Sequence, residues 1–266
     1  MKKYISLLMR RLGIIRFTDY LLFQYNKLKN ESKNKAFLQN NPGIVLPPDY
    51  MMYESFQLDY DEYFTKSKET ASWLLGYFKK HISIDGIRML DWGCGPGRII
   101  RHMPALLDEK SEIFGTDYNP KSIEWCKKNL PGIDFRTNTL KARLPYDDNF
   151  FDVVFGISIF THLSEKMHYE WANELFRVLK PGGILFLTTH GENFTVQLTV
   201  IEKQKFLKGE LIVRGKTVEG HRTFGAYHPV DFMKKLFGKM KVLEHVVTKT
   251  TGKKPQQDIW IFQKLK

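Results

Sequence analysis

The sequence predicts an α/β protein built on an open, parallel sheet, and three observations carry that expectation. Short apolar runs alternate with amphipathic stretches between Ile87 and Gly191. The stretch Met89–His102, MLDWGCGPGRIIRH, reads as an apolar strand ending in Asp91, a glycine turn, and an amphipathic helix beginning near Arg98. Asp117 closes the next apolar run, 20 residues beyond Gly97. Open α/β sheets bind ligands at the carboxyl ends of their strands, where such turns lie. Glycine admits positive φ and lets a ligand approach the main chain, and the helix start behind it offers N–H groups.

The elements follow in order. Ile5, Leu8, Leu12 and Ile15 repeat at helical spacing, so Lys3 to Lys29 is expected to be a basic amphipathic helix. Asn30 to Asn41 is polar and reads as a linker, and Pro42 to Pro48 as an extended, turn-rich piece. Thr65 to His81 reads as a helix, preceded by a segment rich in Tyr and acids, Tyr53 to Phe64. Strands are expected at Ile87–Leu90, Ile113–Thr116, Ile133–Arg136 and Phe151–Phe155. The helix running through Phe176 is expected to stop at Pro181-Gly182-Gly183 before a fifth strand. Asn193–Leu207 reads as a helix, Glu210–Val218 as a strand or hairpin, and Val230–Phe237 as a short helix. Lys241–Thr248 and Asp258–Gln263 close the chain as strands joined by a loop from Thr250 to Gln257.

Spacing decides which ligand the glycine turn suits. A dinucleotide fingerprint needs G-x-G-x-x-G, and the third glycine would fall at Arg98. The chain has Asp91-x-Gly93-x-Gly95-x-Gly97 instead. This resembles the first motif of the class I S-adenosylmethionine-dependent methyltransferases, in particular a bacterial type acting on small molecules and glycans. The resemblance extends through Asp117, Asn138-Thr139-Leu140, the segment Leu144–Glu165 and the segment Phe176–Gly191. It implies a three-layer Rossmann-like sheet of seven strands in the order 3-2-1-4-5-7-6, with strand 7 antiparallel. Residues 1–64 would be a basic helical extension or lid. Residues 65–266 would be the methyltransferase domain, with an insertion at about 192–229.

The cofactor implied is S-adenosylmethionine. Gly93, Cys94, Gly95 and Gly97 would wrap its methionine end and ribose, with Cys94 given no chemistry. Asp91 would work near the ammonium group, and Asp117 would accept the ribose hydroxyls. Tyr118 would lie along the adenine, and Asn138, Thr139 and Leu140 at its edge. Ser158 and Phe160 would face the sulfonium, where Tyr60 or Tyr63 also becomes a candidate as an aromatic face for a cation.

Composition bounds the rest. Two cysteines, Cys94 and Cys126, make no disulfide framework, and no Cys/His cluster suggests a metal. No apolar run reaches the roughly 20 residues that span a bilayer, and Arg10 and Arg11 interrupt the N-terminal run too early for a signal peptide. A cytoplasmic setting is therefore expected. The net charge of +12 is uneven: residues 1–35 carry +7, residues 201–266 carry +9 and the middle carries −4. Basic flanks suit nucleic acid, an anionic membrane surface or an acidic substrate. For residues 1–29 this leaves two roles: a packed lid, or peripheral contact with the inner face of an anionic membrane.

A hydroxyl acceptor benefits from a general base, and histidine is the usual one. His190 ends the fifth strand, and His221 and His228 flank an insertion that can roof an acceptor pocket; these three are the catalytic candidates. His162, after the fourth strand on the same loop as Ser158 and Phe160, also meets the positional test for a base but reads as a hydrogen-bonded structural residue. Ser158-Ile159-Phe160-Thr161 stands where related nucleic-acid amino-methylating enzymes carry Asn/Asp-Pro-Pro-Tyr. The leading reading is O-methylation of a sugar or other small hydroxyl compound. The alternatives are an RNA or protein methyltransferase and a non-catalytic S-adenosylmethionine-binding regulator.

Overall fold

The computed structural model describes residues 2–250 and 254–266. Among them the helices are α1 (Lys2–Arg11), α2 (Ile15–Asn40), α3 (Asp49–Ser55), α4 (Tyr60–Phe64), α5 (Lys66–Phe78), α6 (Pro120–Asn129), α7 (Glu165–Val178), α8 (Val200–Leu207) and α9 (Val230–Leu236). The first five strands are β1 (Arg88–Trp92), β2 (Glu112–Asp117), β3 (Asp134–Thr137), β4 (Phe151–Ile157) and β5 (Leu179–Thr189). The last four are β6 (Ile212–Arg214), β7 (Gly225–Tyr227), β8 (Met240–Val246) and β9 (Asp258–Lys264). Of the expected closing loop, residues 251–253 lie outside the described residues.

The fold is a mixed α/β one of the Rossmann-like kind. Seven strands form one sheet in the order β3-β2-β1-β4-β5-β9-β8, and β6 and β7 pair separately. The order is the expected one, since β8 and β9 are the sixth and seventh strands of the large sheet. β9 runs antiparallel to β5, as expected of the seventh strand. By compactness the chain divides into two units, residues 17–138 and residues 1–16 together with 139–266.

In the first unit β1 pairs in parallel with β2, and β2 with β3. Gly115 in β2 lies against Phe135, where an added Cβ would sit 2.7 Å from the ring. Only glycine lets β2 and that side chain pack so closely. α6 starts with Pro120 at its first turn and with the Asn119 side chain accepting from the Lys121 N–H. The α-helix expected after Gly97 is replaced by a 3₁₀ helix, Ile100–Ala105, with Pro104 inside it. Proline lacks the N–H that an α-helical turn would use there and clashes with the preceding turn.

The expected linker Asn30–Asn41 is also corrected: α2 runs on to Asn40. Tertiary anchoring overrides the polar composition. Phe37 is buried, the Asn34 side chain accepts from the Tyr60 N–H at 3.0 Å, and Asn30 donates to the Leu58 carbonyl at 2.6 Å. The single N-terminal helix expected is instead broken between α1 and α2, with Gly13 at φ +72°.

In the second unit Pro181-Gly182-Gly183 does not stop a helix. α7 ends at Val178, and β5 runs through these residues. The register between β4 and β5 jumps from Phe151↔Leu179 to Val153↔Ile184, so the triplet is taken up as an irregularity in the strand. Gly182 adopts φ +83° there. After β5 a 3₁₀ turn leads to α8, whose start is a capping box: the Thr199 hydroxyl accepts from the Glu202 N–H and Glu202 reaches back to the Thr199 N–H. Phe194, Leu198, Phe206, Ile212 and Tyr227 form the small core of this insertion.

Candidate functional site

The glycine turn and Asp117 form one hydrogen-bonded group in the unit spanning residues 17–138, with Asp91 buried in β1 just before the turn. Gly93, Gly95 and Gly97 take φ of 79°, 52° and 76°, a region that disfavours side chains. An added Cβ on Gly97 would lie 2.5 Å from Leu130 Cδ1, so this position is doubly restricted. The N–H groups of Gly93 and Cys94 donate to the Thr116 carbonyl at 2.8 and 2.9 Å, which ties the turn to the end of β2. The Gly95 N–H donates to Asp117 Oδ2 at 2.9 Å, and the Asn119 N–H to Oδ1 at 2.8 Å. Cys94 is buried, with its sulfur close under Gly115, a packing position.

Burial raises the Asp117 carboxyl to about 6, against the pull of those two N–H groups. Each carboxylate oxygen has a second lone-pair direction, so Asp117 retains capacity for two hydroxyl donors. Asp91 is 4% exposed, and burial holds its carboxyl well above the usual range; Arg98 opposes the rise and Asp117 adds to it. A cationic group beside Asp91 would stabilise its ionised form. This donor and acceptor set fits a cofactor with a cationic end and a pair of neighbouring hydroxyls.

Asn138 is buried near the same strand ends, its N–H donating to the Asp117 carbonyl at 3.1 Å. Tyr118 is exposed beside Asp117. The two tyrosines expected near a sulfonium have other partners. Tyr63 is buried and donates its hydroxyl to the Pro96 carbonyl at 2.9 Å, bracing the turn from behind. Tyr60 donates to Asp49 at 2.6 Å.

The remaining candidates belong to the other unit. Thr139 is exposed, and the Leu140 carbonyl accepts from Trp171 Nε1 at 3.2 Å. Ser158, at the end of β4, has φ +65° although it carries a side chain. Its N–H donates to Thr188 Oγ1 at 2.9 Å, and Gln257 Nε2 donates to its hydroxyl at 2.7 Å. Thr188 in turn donates to Gln257 Oε1. Gln257 was not foreseen, and nothing in its polar loop signals a role 99 residues from Ser158. Phe160 is 1% exposed and packs on His168 and Phe237, with ring centroids at 4.9 and 5.8 Å.

Four histidines of this unit cluster around the β6–β7 hairpin. His190 Nδ1 lies 3.2 Å from the Ala226 carbonyl and His162 Nδ1 3.0 Å from the Phe224 carbonyl. A carbonyl only accepts, so each ring carries its proton on Nδ1 and presents Nε2 as an acceptor. Burial depresses both, to about 3 for His190 and about 4 for His162, and each is neutral at ordinary pH. Both remain partly accessible. His190 also stacks on Phe194 with centroids 4.0 Å apart.

His221 and His228 are placed differently from His190. The Thr223 N–H donates to His221 Nδ1 at 3.1 Å, and the ring is 8% exposed. His228 is 1% exposed, and its Nε2 lies 2.8 Å from His168 Nε2. His168 Nδ1 faces the Ser164 carbonyl at 2.7 Å and must donate there, so its Nε2 accepts and His228 donates. That proton is committed to a buried pair. Among the described residues no group of three or more His, Cys, Asp or Glu is placed to hold a metal ion.

Residues 90–187 match the family described as a methyltransferase domain. Over 113 residues the chain is 34% identical to a phthiotriol/phenolphthiotriol dimycocerosates methyltransferase of Mycobacterium ulcerans, covering 41% of this chain and 39% of that one. It is 30% identical over 116 residues to a ubiquinone biosynthesis O-methyltransferase of Cereibacter sphaeroides, covering 42% and 44%. The match thus spans about two fifths of the length of these curated relatives. In fold, the chain is similar to a solved S-adenosylmethionine-dependent methyltransferase of Methanosarcina mazei. The TM-score is 0.53 at 21% identity, over 71% of this chain and 97% of that one.

Proposed function

We propose that the chain, whose residues 90–187 match a methyltransferase domain, is a class I S-adenosylmethionine-dependent methyltransferase that methylates a hydroxyl group of a sugar or other small acceptor. When bound, S-adenosylmethionine supplies a methyl group already activated on a sulfonium. The glycine turn with Asp91 and Asp117 would hold it, with Asn138 and Tyr118 beside the adenosyl end. Ser158, Thr139 and Leu140 stay candidates for the same ligand. A lipid-linked hydroxyl compound belongs to the same acceptor class.

One observation carries the choice of an oxygen acceptor: His190, at the carboxyl end of β5, has its Nδ1 proton fixed on the Ala226 carbonyl and its Nε2 lone pair available. In this reading His190 Nε2 accepts the proton of the acceptor hydroxyl as the oxygen becomes methylated. His221 and the buried His228 are better suited to shaping the roof than to moving protons. A base of low basicity gives a weak driving force for proton transfer, so its contribution is expected near the low end, about 10²-fold.

The test is transfer of labelled methyl from S-adenosylmethionine into a fractionated cell extract, comparing the parent with His190→Gln. Label in a small-molecule or glycolipid fraction, reduced about 10²-fold in the variant while calorimetric binding of S-adenosylhomocysteine is kept, supports the reading. At saturating S-adenosylmethionine the parent rate should also stay flat from neutral pH down to about pH 5, because a ring held at about 3 stays neutral across that range. Label entering RNA or protein would instead assign the acceptor to those classes. Binding without any product would leave a regulatory role.

A further inference from the structure

We propose that the exposed apolar stripe of α2 is a docking surface for an anionic lipid bilayer, lying in its interfacial layer without crossing it. α2 carries Phe17, Leu21, Tyr25 and Leu28 at successive steps of four, four and three residues, which is one stripe of an α-helix. These side chains are 63%, 50%, 60% and 73% exposed. The buried residues of α2, Phe23, Asn34 and Phe37, fall on the other side of the helix. Scattered exposed apolar residues are ordinary, but a continuous stripe marks an interaction surface.

α1, described on its own, has the same character. Tyr4, Ile5, Leu8 and, just past its end, Leu12 are 54%, 43%, 55% and 61% exposed. Its polar side is tied down: Lys3 Nζ donates to the Leu198 carbonyl at 2.6 Å, and Arg10 Nη1 to the Arg214 carbonyl at 2.8 Å. The helix is therefore held by its basic side chains while its apolar ones face outward.

Charge selects the occupant. Residues 1–29 carry seven Lys/Arg against one acid, Asp19. Lys3 and Arg10 are held on carbonyls of the protein and Lys27 pairs with Asp49 at 3.0 Å, so the exposed Arg11, Arg16 and Lys29 are the ones that meet headgroups. A second copy of this surface would bring these like charges together, whereas anionic headgroups complement them. No helix of the described residues is long and apolar enough to cross a membrane, and a basic helix with an apolar face of this kind binds in the plane of the interface. The surface rests on the proposed function only for its purpose, which is to bring a lipid-linked acceptor within reach. Binding itself needs no methyl transfer, so the two readings fail separately.

The test is co-sedimentation of the full chain with phosphatidylcholine vesicles, with and without about a quarter phosphatidylglycerol. The expected result is binding to the anionic vesicles only, weakened by salt, and reduced at least ~tenfold by Leu21→Asp with Leu28→Asp. Neither residue lies in the proposed cofactor or acceptor machinery, so binding of S-adenosylhomocysteine by the variant confirms that it is folded. Sedimentation velocity without lipid is run alongside. Absent binding to anionic vesicles, or binding undiminished in the folded variant, overturns the proposal. So does a dimer that the same substitutions dissociate.

Discussion

Asp117 shows how one side chain joins the local fold to the cofactor. It is buried, caps the Asn119 N–H, holds the Gly95 N–H of the glycine turn, and is raised by burial to about 6. The sign of its effect on binding follows. Ribose hydroxyls donate to the ionised carboxylate, so affinity is full above about pH 6 and declines as the pH falls through that value. Calorimetric titration with S-adenosylhomocysteine should show Kd rising toward ~tenfold per pH unit below the transition. In Asp117→Asn the amide turns a donor toward at least one of the backbone N–H groups. That variant should lose ~10–100-fold in affinity and most of the pH dependence. A carboxylate serving only as a turn cap would leave the affinity of the folded variant unchanged. Asp117 and the three glycines are legible in the sequence because the turn is local: spacing alone brings them to neighbouring strand ends. Ser158 is legible as a strand-end residue, but its partner Gln257 is not, since only the pairing of β9 with β5 brings that residue back to β4.

At the scale of elements, the insertion after β5 is built on one buried ionic group. Arg214 in β6 is 7% exposed and pairs with Glu202 of α8 through Nε at 2.9 Å and Nη2 at 2.7 Å. It also donates to the Gln197 carbonyl at 2.9 Å and to the Tyr227 hydroxyl at 3.3 Å. Glu202 simultaneously closes the capping box of α8, so helix and hairpin share one carboxylate. Glu202→Gln leaves a guanidinium buried against a neutral amide, and should cost about 1–3 kcal/mol in urea unfolding. Arg214 and Thr199 hold the Glu202 carboxyl down to about 2. Its stabilisation is therefore present above about pH 4.5 and lost as the pH falls toward 2. An unchanged urea midpoint would mean that solvent already screens the pair. The sequence signals this insertion only as a helix followed by a possible hairpin. Arg214, Glu202 and Arg10 sit among charges that look like a solvated face until α1 is laid over the hairpin. The same limit applies to Asn30–Asn40, whose polar composition conceals a helix anchored by two buried side chains, Asn34 and Phe37. Pro181 marks the opposite case: it is readable as a helix breaker, yet only the structure shows that a strand irregularity absorbs it.

Across the whole chain, buried titratable groups set an acid limit on stability, and its sign can be worked out. Burial lowers His102, His162 and His168 to about 4 and His190 to about 3, and it depresses His228 strongly. In the unfolded chain these rings titrate near 6.5. Between about pH 6.5 and pH 4 the unfolded chain therefore holds protons that the folded one excludes, and stability falls as the pH falls. Asp91 and Asp117 act the other way, because both carboxyls are raised and take up protons in the folded state over the acid part of that window. Five imidazoles outweigh two carboxylates. The melting temperature should thus drop steadily from pH 7 to pH 4, with a slope on the order of 1 kcal/mol per pH unit for each proton of imbalance. The two carboxylates make the argument specific to this site. A cationic cofactor that keeps Asp91 ionised, and accepts hydrogen bonds from nothing that protonated Asp117 could donate in its place, removes their opposing contribution. Saturating S-adenosylmethionine should raise the melting temperature at pH 7 and steepen its decline toward pH 4. Parallel curves with and without the cofactor would mean that neither carboxylate changes its proton occupancy on binding, and would separate Asp91 and Asp117 from the ligand. His102→Gln offers an internal control, since that ring bonds to Ser67 at 2.8 Å away from the histidine cluster. Its replacement should flatten both curves equally and leave their difference intact.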